Sequence, residues 1–270
     1  MTPARAVPTA VVPGDPMSPV VLHVPHASRA VPADVRTALL LDDNGLGTEL
    51  DRMTDTATDV LAARAAAAAR RTPWRWVNPW SRLVVDPERF PDAREQMRAV
   101  GMGAVYTGTS DLRPLRHPDP ARDADLLARF FVPYADGLAD LVDDRLAACG
   151  TAVVLDVHSY PRRALPYERH GDGPRPEVCL GTDDVHTPGR LLAAAREAFG
   201  GLEVGLDSPF AGTYTPTRHH GRDRRVHSVM VEVRRDVYLD AELRPTAGLD
   251  VVAAGLTALV DAVHELCPPS

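Results

Sequence analysis

The chain contains no lysine: all 30 of its basic residues are arginine. Together with abundant alanine and proline, this reads as genomic base-composition bias and carries no functional weight. Cysteine is scarce as well. Cys149, Cys179 and Cys267 are far apart, odd in number and outside any Cys-x-x-Cys pattern, which argues against a disulfide framework and points to a reduced, cytoplasmic protein. No run approaches the roughly 18 apolar residues of a membrane span. The proline-rich stretch from Met1 to Met17 has no apolar core of signal-peptide length. Positive charge is not in excess: the formal net charge is −7 with no clustered basic tail, so nucleic acid is not an expected partner.

What remains is an ordinary globular composition, 44% hydrophobic and 25% charged over 270 residues, enough chain to bury a substantial core. Residues 1–18 read as an irregular leader and 19–270 as a single domain. Strands are expected at about 19–24, 74–77, 82–85, 151–157, 177–180 and 226–234, where β-branched and apolar residues cluster. Helices are expected over 48–70, with Thr48 as N-cap, over 121–148 as one helix or a broken pair ended by Gly150, and over 188–199 and 249–266. Residues 25–47, 86–120 and 207–225 read as loops. Strands alternating with helices predict an α/β fold with a mainly parallel or mixed central sheet flanked by helices.

Two strands end in chemistry. Val154-Leu155-Asp156-Val157-His158-Ser159-Tyr160 presents Asp156 and His158 on one strand face, since residues two apart point the same way. Val20-Val21-Leu22-His23-Val24-Pro25-His26 likewise runs from apolar residues into histidine. Between them Glu49 opens a helix. Two imidazoles and a carboxylate with an open fourth position suit a catalytic zinc ion, so His26, Glu49 and His158 are candidate ligands, with Asp156 supporting a ligand histidine. Each is equally readable as a hydrogen-bonded strand end or a helix-start acid. Glu232, in the apolar run Val229–Val233, is costly to bury unpaired. It suits either a general base or an ion pair with Arg234 or Arg235. Arg82 and Arg89 flank an apolar segment and can grip a carboxylate in bidentate fashion. Tyr106 and His227 are weaker substrate-binding candidates, and the His219-His220 pair is assigned no metal.

Five stretches, in order, carry a family likeness: Val-Pro-His-Ala-Ser-Arg-Ala-Val-Pro, Thr-Glu-Leu-Asp-Arg-Met-Thr-Asp, Ser-Arg-Leu-Val-Val-Asp-Pro-Glu-Arg, Leu-Asp-Val-His-Ser-Tyr and Val-Glu-Val-Arg-Arg-Asp-Val-Tyr-Leu-Asp. Over residues 20–240 the chain resembles the N-formylglutamate amidohydrolase family, a branch of the zinc carboxypeptidase and amidase architecture with a phosphorylase/hydrolase-like fold. The resemblance implies one zinc ion on His26, Glu49 (or its neighbour Asp51) and His158. It also implies Glu232 as catalytic carboxylate, and Arg82 and Arg89 on substrate or oxyanion. The implied substrate is a small N-formyl or N-acyl amide of an acidic amino acid, N-formylglutamate first among them. Two departures stand out. Pro-His-Ala-Ser replaces the usual Pro-His-Ser-Gly, and Asp86-Pro87-Glu88-Arg89 replaces Asp-Leu-Asn-Arg. An acidic Glu88 beside a carboxylate-binding arginine could repel a glutamate-like substrate or neutralise Arg89. A metallohydrolase for another N-acyl amino acid or peptide, and a non-catalytic metal-containing binding protein, are the alternatives.

Overall fold

In the computed structural model, which describes residues 10–168 and 173–267, seven strands form one mixed sheet within a single domain. The strands are β1 (Val11–Val12), β2 (Val20–Val24), β3 (Trp74–Val77), β4 (Ala152–Tyr160), β5 (Val178–Gly181), β6 (Val204–Leu206) and β7 (Val226–Arg234). Their order is β1-β3-β2-β4-β7-β5-β6. The central strands β3, β2, β4 and β7 are parallel, while β1 runs antiparallel to β3 and β5 antiparallel to β7. Of the expected leader, residues 1–9 lie outside the described residues and Val11–Val12 form the edge strand.

Helices α1 (Ala33–Arg36), α2 (Asp43–Met53), α3 (Thr58–Ala68), α4 (Pro120–Leu126), α5 (Val132–Cys149), α6 (Gly189–Ala198) and α7 (Gly248–Leu266) complete the fold. One sheet face is apolar along its length. Leu22, Val24, Leu155, Val157, Val229, Val231 and Val233 pack with residues of α3, α6 and α7 into the largest core cluster. The other face changes character along the strands. At its start Val21, Val154 and Val226 pack against Leu138, Leu141 and Val142 of α5. Gly137 lets α5 lie close there, since a Cβ would stand 2.6 Å from the Trp76 ring. Toward the strand ends the same face carries His23, Asp156, His158 and Glu232, and loops cover it. Among the described residues no helix is long and apolar enough to cross a membrane.

Two expected elements differ. The helix expected over 48–70 is two helices, with its N-cap at Asp42, whose side chain accepts from the Gly45 amide. It breaks at Thr54–Ala57, where Thr54 is extended and Ala57 takes the left-handed conformation at φ 65°. The expected strand 82–85 is instead a turn closed by the Val84 amide on the Ser81 carbonyl at 2.9 Å. Its apolar residues serve packing, with Leu83 beside Met53, Met102, Tyr106 and Leu115 in a separate core. This core orders the long segment 86–120, which periodicity alone leaves as loop.

Leu155→Ala, at a fully buried position in the main core, is expected to cost about 2–5 kcal/mol through lost burial and the cavity left behind. Val251→Ala, on the outer face of α7 at 55% exposure, should stay within about 0.5 kcal/mol. Urea denaturation of the two variants beside the parent checks both.

Candidate metal and catalytic site

Parallel pairing of β4 with β7 sets His158 directly beside Glu232, and pairing of β2 with β4 sets His23 beside Asp156. Two residues beyond β2, His26 turns in over the strand ends. The break between α2 and α3 closes against it, because the Asp55 amide donates to the His26 carbonyl at 3.0 Å. That bond places the Asp55 carboxylate between two imidazoles. Its Oδ2 lies 3.1 Å from His158 Nδ1 and 3.6 Å from His26 Nδ1, and the two Nδ1 atoms are 3.3 Å apart. All three side chains are buried. Burial opposes charge on Asp55, but the adjoining imidazoles of His158 and His26 outweigh it and hold the carboxyl well below the usual range.

The far nitrogens are anchored. His26 Nε2 is 3.0 Å from Asp86 Oδ1. Although burial disfavours the ionised form, Arg82 and His26 keep Asp86 charged. A carboxylate can only accept, so Nε2 carries a proton, and in the neutral ring Nδ1 offers its lone pair. His158 Nε2 stands 3.0 Å from Asp156 Oδ1 and 3.2 Å from Glu88 Oε2. Burial works against the His158 cation, yet Asp156 and Glu88 raise its pKa well above the ordinary value. Two nitrogens and one oxygen facing a common point, each backed by a second group, form a donor set suited to zinc. His26, Asp55 and His158 could therefore hold a metal ion, and so could His23, Glu88 and Asp156.

Glu232 reaches the same cavity, of about 130 Å³, lined also by His26, Asp55, Arg82, Glu88, Arg89, His158 and Arg235. Its Oε2 is buried without a hydrogen-bond partner. Burial, partly offset by His158, pushes its pKa up to about 7. Arg82 gives Nε and Nη2 to Asp86 Oδ2 at 3.2 and 2.7 Å. Arg89 has a buried Nε with no hydrogen-bond partner and lines both this cavity and a neighbouring one of about 350 Å³.

Several expectations are corrected. Glu49 is not in the His26–Asp55–His158 cluster: it is buried on α2, where its carboxylate accepts from the Ser110 amide at 2.6 Å and the Ser110 hydroxyl at 2.8 Å. Asp51 is exposed and ion-paired with Arg29. Asp55 holds the place expected of either. Tyr106 is fully buried; its hydroxyl is bonded to Asp86 and Arg82 and lines neither cavity, so it positions rather than contacts. His227 sits at the start of β7 beside Val153, about 16 Å of strand from Glu232 at roughly 3.3 Å per residue, and belongs to the opposite end of the sheet. Asp156 lies between the two strands' histidines, with Oδ1 3.0 Å from His158 Nε2 and 2.9 Å from His23 Nδ1, and Oδ2 accepting from the Tyr214 amide at 3.1 Å. Asp55 and Asp86 went unread. The signal for Asp55 was Thr54-Asp55-Thr56, since side chains that compete for backbone hydrogen bonds favour a helix break.

The sequence model of the family described as N-formylglutamate amidohydrolase matches residues 18–239. Among solved structures, the N-formylglutamate amidohydrolase from Ralstonia eutropha JMP134 superposes with a TM-score of 0.80 at 20% identity, covering 96% of this chain and 98% of that one. A gene product from Agrobacterium tumefaciens superposes with a TM-score of 0.70 at 21% identity, covering 96% of each. Both likenesses are of fold. A comparison with curated proteins gives no match.

The geometry separates the two acids sharply. Elemental analysis of metal-loaded protein should find one ion fewer in Asp55→Ala than in the unmodified chain and no change in Glu49→Gln.

Proposed function

This chain belongs to the N-formylglutamate amidohydrolase family, and on that footing we propose that it is a zinc-dependent hydrolase of the N-formyl or N-acyl amide of an acidic amino acid, N-formylglutamate being the lead substrate. The observation that carries this reading is the convergence of His26 Nδ1, His158 Nδ1 and Asp55 Oδ2 beside the unpaired carboxyl of Glu232. Bound there, zinc would supply Lewis-acid polarisation of the scissile carbonyl and acidify a water molecule.

The protein's own groups then have distinct tasks. Glu232 takes a proton from the attacking water and returns it to the leaving nitrogen as the carbon–nitrogen bond breaks, which yields formate or another acid and the free amino acid. A carboxyl poised near neutrality serves both halves of that transfer. Arg82 keeps Nη1 for the oxygen that gains charge, while its other donors fix Asp86 and through it His26. Arg89, with its unused buried donor, holds the substrate carboxylate. Asp156 steadies His158 from below. The substrate is a small molecule, and the three free thiols suit a reduced cytoplasm.

Glu232→Gln is expected to lower kcat by about 10²–10⁴-fold, the usual worth of a positioned proton-transfer group, with bound metal unchanged. Steady-state kinetics paired with elemental analysis checks it, and full turnover in that variant would remove Glu232 from the reaction. Arg89→Ala should raise KM for N-acyl derivatives of glutamate and aspartate at least tenfold, the effect of losing about 1.4 kcal/mol of binding. It should leave KM for N-acyl derivatives of neutral residues nearly unchanged. Absence of hydrolysis across N-formyl, N-acetyl and peptide substrates by zinc-loaded protein would contradict the proposal.

A further inference from the structure

We propose that His23, Glu88 and Asp156 form a second divalent-cation site, next to the first and distinct from it. His23 and Asp156 come from adjacent strands in register, and Glu88 reaches them from the loop after Pro87. His23 Nδ1 lies 2.9 Å from Asp156 Oδ1 and 3.4 Å from Glu88 Oε1, and the three donor atoms all fall within 4.8 Å of one another. His23 and Asp156 are buried outright, while the Glu88 side chain is 12% exposed. One imidazole and two carboxylates make a donor set for zinc or manganese rather than for a monovalent ion.

Hydrogen bonding leaves one ligand atom of this cluster unserved: His158 Nε2 faces Asp156 Oδ1 and Glu88 Oε2, at 3.0 and 3.2 Å, and not Glu88 Oε1. His23 Nδ1 carries at most one proton, and the nearer acceptor is Asp156. Glu88 Oε1 is then left buried with no hydrogen-bond partner, which is costly for a charged group. A cation at this point serves both carboxylates at once. The surrounding bonds already orient the ligands toward it. His23 Nε2 meets the Tyr134 hydroxyl at 2.7 Å; with the proton on Nε2 donated to that oxygen, Nδ1 presents a lone pair. The Tyr214 amide holds Asp156 Oδ2 and leaves Oδ1 turned inward. The cavity of about 350 Å³, walled in part by Glu88, Arg89, Asp156 and Tyr214, gives a path for the ion and room for its water ligands.

This second site accounts for the acid standing beside a carboxylate-binding arginine. With a divalent cation on it, Glu88 no longer repels an acidic substrate, and the ion's open positions add an attraction on the side of Arg89. That consequence rests on the amidohydrolase reading above; the binding of the cation does not.

The test is isothermal titration calorimetry of chelator-stripped protein with zinc chloride, repeated with manganese chloride. The unmodified chain should bind two ions, whereas Glu88→Gln and His23→Ala should each bind one. Glu88→Gln keeps the shape of the side chain, and circular dichroism confirms that each variant retains its helices. Asp55→Ala should also bind one ion, with the remaining ion then lost in Asp55→Ala combined with Glu88→Gln. Saturation of the unmodified chain at one ion, or two ions still bound by Glu88→Gln, overturns the second site and leaves the first intact. Two ions retained by Asp55→Ala would instead count against the first site. As a second readout, saturating manganese should lower KM for an N-acyl glutamate at least tenfold in the unmodified chain and not in Glu88→Gln. No change in the unmodified chain would refute the role in substrate binding.

Discussion

The parallel pairing of β2, β4 and β7 is the constraint on which the rest depends. A one-residue slip of β4 against β7 would turn Glu232 or His158 into the apolar layer. In the observed register the pairs His23–Asp156 and His158–Glu232 stand side by side on one face. The opposite face is a continuous run of Leu and Val packed under α3, α6 and α7. That layer, fully removed from water, fixes the register, and the register fixes the site. The chemistry collects at the ends of the parallel strands, where an open α/β sheet leaves its crevice.

Around that frame, bonds from outside the sheet do the aiming. Asp86 receives His26, Arg82 and Tyr106 together, so a turn that is not part of the sheet sets the orientation of His26. It is held in place by its own small core of Leu83, Met102, Tyr106 and Leu115. Arg235 ties the helix break to the sheet, donating to the Arg52 carbonyl at 2.8 Å and lying 3.4 Å from Asp55 Oδ1. Buried charges here are paired at nearly every point, as burial demands. At the site, Glu232 Oε2, Glu88 Oε1 and Arg89 Nε lack hydrogen-bond partners, and all three residues line cavities.

Much of this was legible in the chain itself. The strands expected at about 19–24, 74–77, 151–157 and 226–234 from β-branched and other apolar residues appear as 20–24, 74–77, 152–160 and 226–234. His26, His158, Asp156 and Glu232 stand out because polar residues interrupt or end those runs. The acidic member of the cluster was misread for a physical reason. A helix-start acid on 48–70 made Glu49 attractive, but the helix begins earlier at Asp42 and breaks at Thr54, and only the break carries a carboxylate to the strand ends. Long-range partners such as Ser110 for Glu49, or Asp86 for His26, leave no periodic signal. Likewise the apolar run 82–85 looked like a strand because burial in a loop core and burial in a sheet select the same residues. His227 lies on the strand that bears Glu232, yet strand length alone removes it from the site.

The most direct measurement is anomalous diffraction from crystals of the zinc-loaded protein, collected at the zinc absorption edge. A strong peak should lie within about 2.0–2.2 Å of His26 Nδ1, His158 Nδ1 and an Asp55 oxygen, the bond lengths of zinc to such donors. A peak coordinated by Glu49, or imidazoles turned away from one another with no metal between them, would contradict the account.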